Sequence, residues 1–227
     1  MDRKKTCTPN KTGILLIHGF AGNPEEVRPL FEFLEEKGYI IECPVLAGHG
    51  QTKKELSKSD YGDWIASAEK AYLKLAGKCK RIIVIGFSMG GLLAVNLWHY
   101  GFSGLVTVNT PVYYWNPYII IRNLLTDYRK YWRKYLQAVT DKTISSMLEF
   151  QKLLTKTKPM FGNITCRTIV IQALDDDTVY HKSADHIYKR VCANKTVYKL
   201  PHGGHMIFQS KSRDEVLRAI ESFVQTC

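Results

Sequence analysis

The residues best arranged for chemistry lie in Gly86-Phe87-Ser88-Met89-Gly90. This run matches G-x-S-x-G, in which a serine sits on a sharp strand-to-helix turn with its hydroxyl exposed as a nucleophile. Ordinary Gly and Ser frequencies produce the bare pattern in roughly one chain in ten of this length, so its surroundings must carry the argument. Ile82-Ile83-Val84-Ile85 leads in as a buried strand, and Leu92-Leu93-Ala94-Val95 leads out as an apolar helix. Glycine is needed on both sides because a Cβ there would meet the neighbouring strand and helix. The turn also sets the hydroxyl at a helix N-terminus, which favours developing negative charge. A serine that only caps the helix is the weaker alternative.

A serine hydroxyl needs a base to take its proton. Of the seven histidines, His205 in Pro201-His202-Gly203-Gly204-His205-Met206 is favoured, because it follows a strand and glycines free its loop. His202 competes but sits closer to the strand end. His49, His99, His181 and His186 lack such framing and read as surface or packing residues. A carboxylate must then hold the imidazole tautomer and stabilise the imidazolium. Asp175-Asp176-Asp177 follows the strand ending near Ala173, and the order Ser, Asp, His fits. Spacing does not choose among the three acids, and two of them read as a solvated turn. An oxyanion formed at the serine needs two backbone N–H donors. The N–H of Met89, next after Ser88, is one candidate. The other is Phe20, in the turn His18-Gly19-Phe20-Ala21-Gly22-Asn23.

These turns need elements to place them. Ile14–Ile17, Tyr39–Ile41, Ile82–Ile85, Leu105–Val108, Thr168–Ile171 and Thr196–Leu200 read as strands. Several are continuous apolar runs without alternation, as in parallel sheets covered on both faces. Helical spacing occupies the intervals: Val27 to Leu34, Tyr61 to Leu75, Met89 to His99, Ala184 to Arg190 and Arg213 to Val224. Strands alternating with helices imply an α/β fold whose strand ends share one edge, where ligands bind. The stretch from Tyr113 to about Gly162 breaks the rhythm. It is rich in aromatics and cations, Trp115 and Trp132 among them, and its second half carries a stripe of Ile144, Met147, Leu148, Gln151 and Leu154. It reads as a helical cap over the site, giving a core of 1–112 and 163–227 with a cap of 113–162.

His18-Gly19-Phe20, Gly48-His49-Gly50, the Ser88 turn, Asp176-x-x-Val179 and Gly204-His205 together resemble the α/β-hydrolase superfamily. Among its members they most resemble small bacterial carboxylesterases with a short helical cap, relatives of monoacylglycerol lipases. The resemblance runs over nearly the whole chain and is weakest in the cap. It implies a mostly parallel sheet of about six to seven strands with helices on both faces, and a reduced or absent first hairpin. It also selects Asp176 as the acid and supports Phe20 and Met89 as oxyanion donors. The activity it implies is hydrolysis of short-to-medium-chain carboxylic esters without metal or cofactor. Monoacylglycerol lipase, or a related acyl hydrolase or thioesterase, is the alternative.

The bulk properties are compatible. The 227 residues suit one substantial core, and 45% hydrophobic content is ordinary for a globular enzyme. No apolar run is long enough to span a membrane, so stable membrane insertion is not expected. The opening Asp2-Arg3-Lys4-Lys5 lacks the apolar segment of a secretory signal, and a cytoplasmic location is expected. A net charge of +11 raises nucleic acid as a partner, but the cations are spread along the chain without a recognised module. The expected partner is a small-molecule ester, lipid-like in the alternative reading. The six scattered cysteines are expected to be thiols. A non-catalytic ligand receptor on the same fold is disfavoured because Ser, Asp and His candidates all survive.

Overall fold

The computed structural model describes residues 12–114, 117–140 and 143–227. The basic N-terminal segment, Cys7 and Trp115 lie outside the described residues. Six strands form one sheet: β1 (Thr12–Ile17), β2 (Ile40–Glu42), β3 (Arg81–Phe87), β4 (Gly104–Val108), β5 (Arg167–Ala173) and β6 (Lys195–Leu200). Their order is β2-β1-β3-β4-β5-β6, and every pair is parallel. Within β1, β3, β4 and β5 successive side chains enter opposite cores. Leu15, Ile17, Val84, Leu105 and Val170 pack on one face, and Ile14, Leu16, Ile83, Ile85, Val106 and Ile171 on the other. Both faces are covered, which is why these strands are apolar throughout.

Helices α1 (Arg28–Glu36) and α9 (Arg213–Thr226) cover the second face, through Leu30, Leu34, Val216, Ile220 and Val224. The first face takes α3 (Tyr61–Ala76), α4 (Met89–Asn96) and α8 (Lys182–Arg190). A short helix, α2 (Lys53–Leu56), precedes α3. Helix α3 starts where Asp60 accepts from the Asp63 N–H and Asp63 returns the bond to the Asp60 N–H, each at 3.0 Å.

Between β4 and β5 the chain inserts α5 (Pro117–Thr126), α6 (Tyr128–Thr140) and α7 (Ile144–Met160). They differ in how they are held. In α7 the buried face is Ser146, Phe150, Leu153 and Thr157, not the expected stripe, and Ile144 and Leu148 are exposed. Packing against the core sets that face: Phe150 and Leu153 join the main cluster, and Thr157 Oγ1 accepts from Asn96 Nδ2 at 2.7 Å. Helices α5 and α6 bury much less. The five described cysteines are free thiols.

Candidate active site

The expected site residues all follow strand C-terminal ends. Ser88 leaves β3 with φ 51° and ψ −123°, a conformation that costs a non-glycine residue about 1–3 kcal/mol. Close backbone packing holds it there. The Ser88 N–H donates to Val108 O at 2.8 Å, and the Gly91 N–H donates to Ser88 O at 3.0 Å. A Cβ on Gly86 would lie 2.3 Å from the Gly90 backbone, and one on Gly90 2.2 Å from Ile17 O. Helix α4 therefore starts directly against the ends of β1 and β3, and nothing larger than glycine fits at 86 or 90.

His205, in the loop after β6, donates from Nδ1 to Asp176 Oδ2 at 2.9 Å. A carboxylate can only accept, so Nδ1 carries the hydrogen and Nε2 is the basic nitrogen. Asp176 is fully buried, and its Oδ1 accepts from the N–H groups of Thr178 and Val179 at 2.8 and 2.9 Å. The last of these bonds explains the Asp-x-x-Val spacing: the carboxyl turns back onto the backbone three residues ahead. Burial disfavours the His205 imidazolium, but the charge and hydrogen bond of Asp176 outweigh it. Glu26 and Asp177 add to the effect, and the His205 pKa rises above the ordinary histidine value. Ser88 and His205 line one cavity of about 190 Å³, with Gly19, Phe20, Glu26, Phe87, Tyr114 and Phe150 among its walls. The two are not in hydrogen-bond contact among the described residues, as is common before substrate binds.

The turn after β1 lies against Ser88, since a Cβ on Gly19 would sit 3.4 Å from the Ser88 Cβ. His18 is buried beneath it. Its Nδ1–H donates to Gly19 O at 2.9 Å and its Nε2 accepts from the Leu46 N–H at 3.3 Å. Burial, with a further contribution from His49, lowers its pKa to about 4 against the raising effect of the Gly19 bond, so His18 is neutral. The Phe20 ring stacks on Phe150 at 4.9 Å and packs on Trp64 and His49, which seats the turn that carries the Phe20 N–H. Met89 opens α4, and first-turn N–H groups have no intrahelical acceptor.

A model of the alpha/beta hydrolase family matches residues 14–219. The chain belongs to that family. It is 28% identical to a thermostable monoacylglycerol lipase of Bacillus sp. (strain H-257), over 94% of this chain and 90% of the relative. A carboxylesterase of Bacillus subtilis (strain 168) is also 28% identical, with 93% and 92% covered. Among solved structures, one described under two metagenome-derived lipolytic enzymes, LipS and LipT, superposes with a TM-score of 0.82. It is 20% identical and covers 97% of this chain and 96% of that one. The monoacylglycerol lipase of Paleococcus ferrophilus gives 0.71 at 12% identity, with 96% and 95% covered. The chain is thus an esterase- and lipase-like alpha/beta hydrolase.

In this alpha/beta hydrolase the three adjacent acids have three separate tasks, so the expectation that two form a solvated turn is corrected. Asp175 Oδ1 accepts from the Gly204 N–H at 2.8 Å and so ties down the His205 loop. Asp177, only 6% exposed, accepts from Lys134 Nζ at 2.5 Å and from Tyr135 OH at 3.1 Å, both on α6. His202 points outward, its side chain 87% exposed. Of the other histidines, His49 is buried packing and His99 lies at the surface.

Asn109 escaped the sequence reading. At φ 46° it follows β4, and its Nδ2 donates to Gly204 O and His205 O at 2.9 Å each. Its Oδ1 accepts from the Ala173 N–H, also at 2.9 Å, so one side chain joins three strand ends. Asn, which tolerates positive φ, at a strand terminus was the available signal. Glu26 escaped as well. Its Oε2 accepts from the Gly19 N–H at 2.9 Å, and its carboxylate fills the space over Gly22.

Proposed function

We propose that the chain hydrolyses carboxylic esters through an acyl-enzyme on Ser88. His205 Nε2 takes the proton as Ser88 Oγ attacks the ester carbonyl, and Asp176 stabilises the imidazolium that forms. The N–H groups of Phe20 and Met89 receive the tetrahedral oxyanion. His205 then protonates the departing alcohol, and activates water to release the acid and restore Ser88. The observation that carries this reading is the 2.9 Å bond between His205 and the buried Asp176, on the wall of the cavity that Ser88 shares.

Residues 113–162 act as a cap over a core of 1–112 and 163–227 in this reading, supported by Tyr114, Lys134, Tyr135 and Phe150 on the cavity wall. A cavity of about 190 Å³ walled by Gly19, Phe20, Tyr114, Tyr135 and Phe150 fits the short-to-medium acyl chains of the first reading. The aromatic walls and the resemblance to a monoacylglycerol lipase favour a second reading, in which α5 and α6 shift to admit a longer chain. Ser88→Ala is expected to abolish turnover of p-nitrophenyl butyrate; retained activity contradicts the mechanism. Rates on p-nitrophenyl esters and monoacylglycerols of increasing length then decide between the readings.

A further inference from the structure

Helices α5 and α6 present apolar side chains that the core does not use. On α5, Tyr118, Ile121 and Leu125 share a face, with Tyr118 73% and Leu125 83% exposed. On α6, Tyr128, Trp132 and Leu136 recur every four residues, all exposed, and the Tyr128 and Trp132 rings stack at 5.7 Å. The inward side of α6 is instead Tyr131 and Tyr135, the latter bonded to Asn123 of α5 and to Asp177. The outer stripe is therefore not a misplaced core face.

Cations flank it. Arg129 and Arg133 are four apart on the adjoining side of α6, Lys130 leans over the Tyr131 ring, and Arg122 is one turn beyond Tyr118 on α5. Residues 118–137 hold five cations, Arg122, Arg129, Lys130, Arg133 and Lys134, against the single carboxylate of Asp127. Among the described residues only Lys134 of these five is in a salt bridge.

An apolar stripe this exposed marks a contact surface. A second copy of the chain would set like charges against each other, which opposes pairing. An anionic lipid surface satisfies both features, because aromatic and aliphatic groups enter the boundary between headgroups and acyl chains while Arg and Lys meet the phosphates. We infer that α5 and α6 dock the protein on the surface of an anionic bilayer, without spanning it. Lys134 and Tyr135 of α6 line the cavity beside Ser88, so docking brings the site to the lipid boundary. The inference stands apart from the ester reading and does not need Ser88 to be reactive.

Vesicle co-sedimentation of the full chain tests it, with phosphatidylcholine vesicles containing or lacking phosphatidylglycerol. The wild type is expected to partition onto the anionic vesicles and to be released by added salt. Arg129→Gln with Arg133→Gln is expected to lower that partition coefficient about 30-fold at low salt. Leu125→Ser with Trp132→Ser is expected to lower it about tenfold. Both variants should keep the wild-type urea unfolding midpoint and far-UV circular dichroism, which shows that they fold. Equal partitioning onto neutral and anionic vesicles, or none, overturns the inference. So does a concentration-dependent dimer that the Leu125 and Trp132 substitutions break, since the stripe would then be covered by a second copy.

Discussion

Helix α4 starts at Ser88 on the cavity wall and α6 lines the same cavity with Lys134 and Tyr135, and the two helices are held in opposite ways. Seven of the eight residues of α4 are buried, and its glycines are pressed against Ile17, His18 and Thr110. No side chain larger than hydrogen fits at Gly90, and Gly91 has only 1.9 Å from a built Cβ to Thr110 Oγ1. Helix α6 has exposed side chains over most of its described length and is tied to the core through Lys134 and Tyr135 on Asp177. Close packing transmits any displacement, whereas α6 hangs on polar contacts between its half-exposed side chains and the buried Asp177. In the proposed mechanism the parts that would meet a developing charge are thus the rigid ones, and the proposed cap is the loosely held one.

The largest effect expected from breaking the rigid side is chemical. Asp176→Asn should leave the loop near its place but favour the wrong His205 tautomer, lowering kcat about 10⁴-fold with little change in KM. Steady-state kinetics on p-nitrophenyl butyrate check this, and a loss under tenfold contradicts the role given to Asp176. Next comes a steric contrast. Gly90→Ala puts a methyl 2.2 Å from the Ile17 carbonyl and should cost about 3 kcal/mol of stability or prevent folding. Lys134→Ala removes a pair whose lysine side chain is 55% exposed, and should cost about 1 kcal/mol or less while raising activity on octanoate relative to butyrate esters. Urea unfolding of both variants would collapse the contrast if the costs were alike.

The smallest expected effect concerns pH. In the proposed mechanism His205 must be neutral to accept the serine proton, so activity is expected to rise with pH through its pKa. Burial lowers that pKa, but Asp176, Glu26 and Asp177 raise it further, which sets the acid limb above the ordinary histidine value. Glu26→Gln removes one raising charge and keeps an acceptor for the Gly19 N–H, so the limb of kcat/KM should move to lower pH. A limb that stays or moves up contradicts the electrostatic role of Glu26.

Much of the rigid side was legible in the sequence because local chemistry dictates it. Buried parallel strands must be apolar on both faces, and a turn as tight as that at Ser88 admits only glycine at its flanks. Ser88 and His205 were legible from a motif and a glycine-rich loop at two strand ends, whereas Asp176 was separated from its two neighbours only by the family resemblance. What the chain did not disclose depends on contacts distant in sequence. Asp175 and Asp177 look like any solvated acids until the Gly204 N–H and Lys134 are seen against them. Asn109 reaches Gly204 and His205 across 95 and 96 positions. The face that α7 buries is chosen by Asn96 and its neighbours on α4, against the apolar periodicity of its own residues.

The reading of Ser88 as an activated nucleophile depends on His205 Nε2 being able to reach it. Labelling with a fluorophosphonate, followed by peptide mass mapping, tests it most directly. One adduct is expected, on Ser88, absent in Ser88→Ala and formed far more slowly in His205→Gln. An unlabelled protein, or an adduct on another residue that persists in Ser88→Ala, would contradict it.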